Sequence, residues 1–330
     1  MSIGSSYPVG RSTPGPHPAR PLPPARAAVP LSLRLLAASL CGLLALALTA
    51  VVFVRTYPGQ WWDGALLPRA ERGGGYEQRT ALVGPAKTVL AAFGSPTLLA
   101  ALLGAVLLVG VLRRRLVAGV VGVGLVLCAV VLAGAVKSAL PRPDLEIESS
   151  TTHNSFPSGH VAAATALLLA FMLVLPGWAR RWLAVPGAAG VSVIASATMI
   201  AGWHRFSDAL GGVLLGVTVF CLAAAALAAR GDRDADGRPD GRPDGGSRWR
   251  GLAGAALGLA VLAWALVVVV PELATSVRRG ALVAIVVAGA STMFLVGSVV
   301  FLVRSTDFAG PLPAGRRTWP RSSTGPQKIS

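Results

Sequence analysis

Two short polar stretches interrupt a chain that is otherwise mostly apolar. The first is Asn154-Ser155-Phe156-Pro157-Ser158-Gly159-His160, and the second is Trp203-His204-Arg205-Phe206-Ser207-Asp208. Pro157 and Gly159 shape a turn, and the apolar run from Val161 starts a helix whose first backbone N–H groups have no intrahelical partner. Such an end attracts an anion, and the Ser158 hydroxyl adds a donor. His204 and Asp208 are four residues apart, which puts them on one face of a helix start. The carboxylate can then hold one imidazole nitrogen and leave the other for nucleophilic attack. His160 supplies a second imidazole for proton transfer.

A third stretch, Lys137-Ser138-Ala139-Leu140-Pro141-Arg142-Pro143, places two cations at a helix end. Arg offers a planar fork to phosphate oxygens and Lys a point charge. Snorkelling of both side chains to lipid head groups would explain the same residues without chemistry.

The elements that must position these groups are membrane helices. The chain is 53% hydrophobic and only 13% charged, and its mean hydropathy is positive, the profile of a multi-span membrane protein. Several apolar runs reach about 20 residues, enough to cross roughly 30 Å of hydrocarbon as helix. The first, Leu35 to Val54, is too long for a secretory h-region and no small-residue cleavage site follows it. Further helices are expected near 88 to 112, 116 to 136, 160 to 176, 183 to 202, 207 to 229, 252 to 270 and 281 to 303. The expected fold class is therefore an all-α polytopic membrane bundle of about eight transmembrane helices.

The expected organisation is a disordered basic tail over 1–30, a six-helix membrane domain over 31–230 and a flexible linker over 231–250. A two-helix membrane addition over 251–304 and a disordered basic tail over 305–330 complete it. The linker carries a tandem repeat, Asp236-Gly237-Arg238-Pro239 and Asp240-Gly241-Arg242-Pro243, whose composition cannot form a packed core. All the candidate chemistry falls in the six-helix unit.

The net charge of +16 does not point to nucleic acid. The basic residues sit in short loops and tails, as the positive-inside rule requires, not along one face. The N-terminal tail, the Arg113-Arg114-Arg115 loop, an Arg180-Arg181 loop, the segment Arg230 to Arg250 and the C-terminal tail all fall on one side. That side is read as cytoplasmic, in the cell membrane, with both termini inside and His153, His160 and His204 external. Arg55, Arg69, Arg72, Arg79, Lys87, Arg278 and Arg279 run against this assignment. Cys41, Cys128 and Cys221 lie in apolar spans with no disulfide or zinc spacing. A composition heavy in Ala, Gly, Arg and Pro suggests a high-GC bacterial coding sequence.

The three stretches, in chain order, resemble the type 2 phosphatidic acid phosphatase superfamily, which also includes bacterial acid phosphatases and vanadium-dependent haloperoxidases. The family pattern is Lys with a following Arg-Pro, then Pro-Ser-Gly-His, then Ser-Arg followed by His and, four residues on, Asp. The resemblance covers roughly residues 85 to 230. It implies His204 as the nucleophile forming a phosphohistidine, Asp208 as its orienting partner and His160 as acid, then base. Lys137, Arg142, Ser158 and the Gly159 amide would hold the phosphate oxygens, and neither metal nor cofactor is implied.

The chain departs from that pattern twice. Lys137 is followed by four residues before Arg142-Pro143, where the family has six, and Asp144 stands at the usual Arg. The Arg expected six residues before the nucleophile is Thr198, and Arg205 is the neighbouring cation available to replace it. The expected function is a membrane phosphatase acting externally on a phosphatidate-like or polyprenyl pyrophosphate lipid. A lipid phosphotransferase and a non-catalytic lipid-phosphate binder remain as alternatives, the second motivated by Thr198. The expected partners are the phosphorylated lipid and membrane lipids.

Overall fold

Hydrocarbon offers a backbone no water to bond, so long apolar runs in it must satisfy their own N–H and C=O groups as helix. The computed structural model describes residues 29–65, 82–147, 153–235 and 279–303, and every regular element among them is helical. Helix α1 (Leu31–Thr49) continues into a π-helical turn, Ala50–Val54. There follow α2 (Tyr57–Ala65), α3 (Val83–Phe93), α4 (Pro96–Leu112), α5 (Leu116–Ala139), α6 (Gly159–Val174), α7 (Gly177–Ile200), α8 (Phe206–Ala235) and α9 (Arg279–Val303).

Five helices are long and apolar enough to cross a membrane: Leu31–Val54, Leu116–Ala139, Gly177–Ile200, Phe206–Arg230 and Ile285–Val303. Taking α3 and α4 as one bent span gives up to six among the described residues. This is a multi-pass membrane protein. The expected helix near 252–270, the linker beyond Ala235, residues 1–28 of the N-terminal tail and the C-terminal tail lie outside the described residues, so the count of eight is not reached here; residues 231–235, expected as linker, continue α8.

Three local expectations change. The single helix expected near 88 to 112 is broken into α3 and α4, bent by 54°. Ser95 sits at the N-cap of α4 with extended backbone and Pro96 follows at the first helical position, a helix-start signal strong enough to end α3 at Phe93. Helix α7 begins at Gly177, directly after Pro176, so Arg180 and Arg181 lie within its first two turns and not in a loop. Arg180 is buried, donating from Nε to the Leu175 carbonyl at 2.8 Å and from Nη1 to the Val303 carbonyl at 3.3 Å. It thus satisfies carbonyls at the C-terminal ends of α6 and α9, where a cation is favoured. Finally, α2 forms where the sequence suggested only an external loop.

Helix α6 is the centre of the bundle. Of its residues only Gly159, His160 and Phe171 escape burial, as expected for a helix apolar on every side. At 1.5 Å per residue it is about 24 Å long, short of the roughly 30 Å hydrocarbon layer. Helix α8 lies close against it because glycines face it. A Cβ on Gly212 would stand 2.7 Å from the Ser158 carbonyl oxygen, and one on Gly216 would stand 2.8 Å from Thr165 Cβ. Gly212 and Gly216 form the small-xxx-small pattern that lets membrane helices approach closely.

Candidate active site

The three polar stretches meet at one end of the bundle, where α5 and α7 finish and α6 and α8 begin. Hydrogen bonds stitch them together. The Asn154 side-chain amide donates to the carbonyls of Lys137 at 3.1 Å and Leu140 at 2.6 Å, tying the stretch at 154–160 to the end of α5. The Ser158 N–H donates to the Asp208 carbonyl at 2.8 Å. The Ser155 hydroxyl donates to Asp208 Oδ2 at 2.5 Å, so the stretches at 154–160 and 203–208 are joined through backbone and side chain.

Asp208 is the third residue of α8 and fully buried. Its Oδ2 accepts the Arg205 backbone N–H at 2.8 Å, the reach-back of an acidic residue in a first helical turn. The same oxygen lies 3.4 Å from His204 Nδ1. Its bonds to Ser155 and the Arg205 N–H fix the carboxylate, and the carboxylate in turn orients the imidazole, leaving Nε2 as the nitrogen for chemistry. The loop carrying His204 hangs from the end of α7: the Thr198 carbonyl accepts the N–H of Trp203 at 3.0 Å and of His204 at 3.2 Å. Gly202, with φ 72°, supplies the left-handed residue that this turn needs.

Ser158 occupies the N-cap position of α6 with extended backbone, yet makes no capping bond. Its hydroxyl oxygen is buried and has no hydrogen-bond partner among the described residues. Beside it are the backbone donors of Gly159, His160 and Val161, which precede the first intrahelical bond, from Ala162 to the Ser158 carbonyl. Together these donors are of the kind that can hold an anion at a helix start. His160 is half-exposed, its ring 5.8 Å from that of Trp203. It lies within electrostatic reach of His204 and Lys137. Gly94, at the α3–α4 break, leaves room for it, since a Cβ there would stand 3.1 Å from His160 Nε2.

The segment that carries all three stretches, residues 115–232, matches the family model described as the PAP2 superfamily. This segment is similar to the PAP2 superfamily. No curated protein and no solved structure matches the chain. The PAP2 domain and its apolar helices fit a membrane phosphatase, a phosphoric ester hydrolase in general terms.

Within the matched segment the structure gathers His160, His204, Asp208, Ser158, Gly159 and Lys137. Arg142 is buried just beyond α5, and its neighbour Pro143 accepts a bond from Gln60 Nε2 at 3.0 Å. Thr198, at the position of the resemblance's second Arg, is fully buried and turns its hydroxyl to the Ala195 carbonyl at 2.7 Å. Arg205, the neighbouring cation, is fully buried. Its Nη1 donates to Ser155 at 2.9 Å and its charge acts on the carboxylates of Asp208 and Asp63.

Sequence reasoning missed Asp63 altogether. It comes from α2, outside the matched segment, and is fully buried against Ser207. The available signal was an Asp three residues after Gln60 beside paired tryptophans, a polar face on an aromatic helix. The Gly211-Gly212 pair with Gly216, which sets the α6–α8 approach, was also legible and unread.

Proposed function

We propose that this protein is an integral membrane phosphatase that hydrolyses a phosphomonoester or pyrophosphate lipid, phosphatidate-like or polyprenyl, through a phosphohistidine on His204. The observation that carries the reading is the His204–Asp208 pair facing an α6 N-terminus whose Ser158 hydroxyl is buried with no hydrogen-bond partner among the described residues. The Nε2 lone pair of His204 attacks phosphorus while the bond to the leaving oxygen breaks. His160 gives its proton to that oxygen, and Asp208 stabilises the imidazolium. His160 then takes a proton from water, whose oxygen attacks phosphorus, breaks the P–N bond and releases phosphate. Proton transfer of this kind contributes about 10² to 10⁴ in rate.

Ser158, the Gly159 N–H, Lys137 and Arg142 hold the equatorial oxygens as charge builds on them. The positive-inside pattern supports an external active site in the cell membrane, reached by the lipid head group from the side. Phosphate release from vesicles containing phosphatidate or polyprenyl pyrophosphate, absent in His204→Ala, is the expected result. No release above that control on either lipid would refute the proposal.

A second reading, a non-catalytic lipid-phosphate binder, is favoured by Thr198, whose side chain is committed to its own helix. Binding of phosphorylated lipid without phosphate release would select it. Transfer to an added acceptor alcohol would select a phosphotransferase.

A further inference from the structure

Helix α2 lies outside the family-matched segment, yet its inner face closes on the site. Gln60 and Asp63, three residues apart, share one side of the helix and are buried, while Tyr57, Trp61 and Trp62 are exposed. Gln60 Nε2 donates to the Val54 carbonyl at 2.9 Å and to the Pro143 carbonyl at 3.0 Å, joining the end of the first span to the segment beside Arg142. Asp63 Oδ1 accepts the Ser207 N–H at 3.1 Å and Oδ2 accepts the Ser207 hydroxyl. One nine-residue helix therefore grips both the stretch at 137–143 and the stretch at 203–208.

A carboxylate taken fully out of water is costly unless it is paired or hydrogen-bonded. A neutral acceptor would satisfy the Ser207 N–H just as well, so the charge calls for a reason. The charged groups that act on Asp63 are Asp208, which repels it, and Arg205, which attracts it. Arg205 acts on Asp208 as well, so the guanidinium is shared between two carboxylates at the base of the nucleophile.

We propose that Asp63 is a positioning residue for this site: through Ser207 and Arg205 it fixes the first turn of α8, and with it the direction in which Asp208 presents its carboxylate to His204. Asp63 touches no reacting atom and acts through Asp208. The kinetic part of its test rests on the proposed phosphatase reaction, whereas the part that reads the imidazole does not.

The test uses the full chain in detergent micelles. Histidine NMR follows the titration of His204, assigned by its loss in His204→Ala, in the wild type, Asp63→Asn and Ser207→Ala. The expected result is a shift of about half a pH unit or more in Asp63→Asn, with a smaller shift in Ser207→Ala. On phosphatidate vesicles, kcat of Asp63→Asn falls roughly tenfold, with KM within about threefold. Asp63→Asn in the Ser207→Ala background has a smaller effect than in the wild type, because the hydroxyl contact to Asp63 is already gone. An unmoved His204 titration in both folded single variants overturns the positioning role. A moved titration in a protein that releases no phosphate keeps that role and refutes the phosphatase reading instead.

Discussion

The backbone N–H of Ser158 donates to the carbonyl oxygen of Asp208 at 2.8 Å. This bond joins the start of α6 to the start of α8, so the Ser158-Gly159-His160 turn and the residue that pairs with His204 are tied directly together. It requires the two helices to touch at their ends, and Gly212 permits that contact.

Gly212→Ala should therefore separate the two halves of the site. Its Cβ would meet the Ser158 carbonyl oxygen at 2.7 Å and Val161 Cβ at 2.9 Å, backbone and branched side chain that cannot easily yield. A loss of about 1 to 3 kcal/mol is expected, together with most of the phosphate release. Gly190→Ala on α7, where nothing lies within 4 Å, should be neutral or stabilising by up to about 1 kcal/mol. Thermal melts of both variants in one detergent make the comparison.

Gly94→Ala tests the placement of His160. The added methyl would press on Nε2 at 3.1 Å and displace the imidazole by a few tenths of an ångström. A fall in kcat of roughly three- to tenfold with little change in KM is expected. Steady-state phosphate release measures it.

Thr198→Val tests whether the hydroxyl contributes to the site. That hydroxyl bonds the Ala195 carbonyl of its own helix, so its removal should leave kcat/KM within about threefold and cost no more than about 1.5 kcal/mol. A loss of a hundredfold would show that Thr198 contacts the phosphate.

Asp63 makes stability depend on pH. Burial, reinforced by the Asp208 charge, pushes its carboxyl up to about 6 from an ordinary 3.8. Between those values the folded chain holds a proton that the unfolded chain has released, so stability falls as pH rises through this window. Asp63→Asn should remove that slope. Melting temperatures taken from pH 4 to 7 should decline for the wild type relative to the variant and run parallel above about pH 6.

Much of this fold could be read from the chain because hydrocarbon leaves apolar runs few alternatives. The spans α1, α5, α8 and α9 stand close to where hydropathy puts them. The break at Gly94-Ser95 was written in Ser95-Pro96 but hidden by the apolar residues on both sides. Within the site, His204 and Asp208 were legible because a four-residue spacing is local. The bond from Asp63 to Ser207 spans 144 positions, and no local pattern announces it. Arg205 is a further case: its sequence neighbour is His204, but its Nη1 donates to Ser155, fifty positions away, a contact made only by folding.

The most direct test of the central claim is to trap the phosphoenzyme. Brief incubation of the purified protein with 32P-labelled phosphatidate or polyprenyl pyrophosphate, followed by denaturation, should give a label that is stable to base, labile to acid and absent in His204→Ala. A label that survives in His204→Ala, or steady phosphate release with no label on His204 at any quench time, would contradict the account.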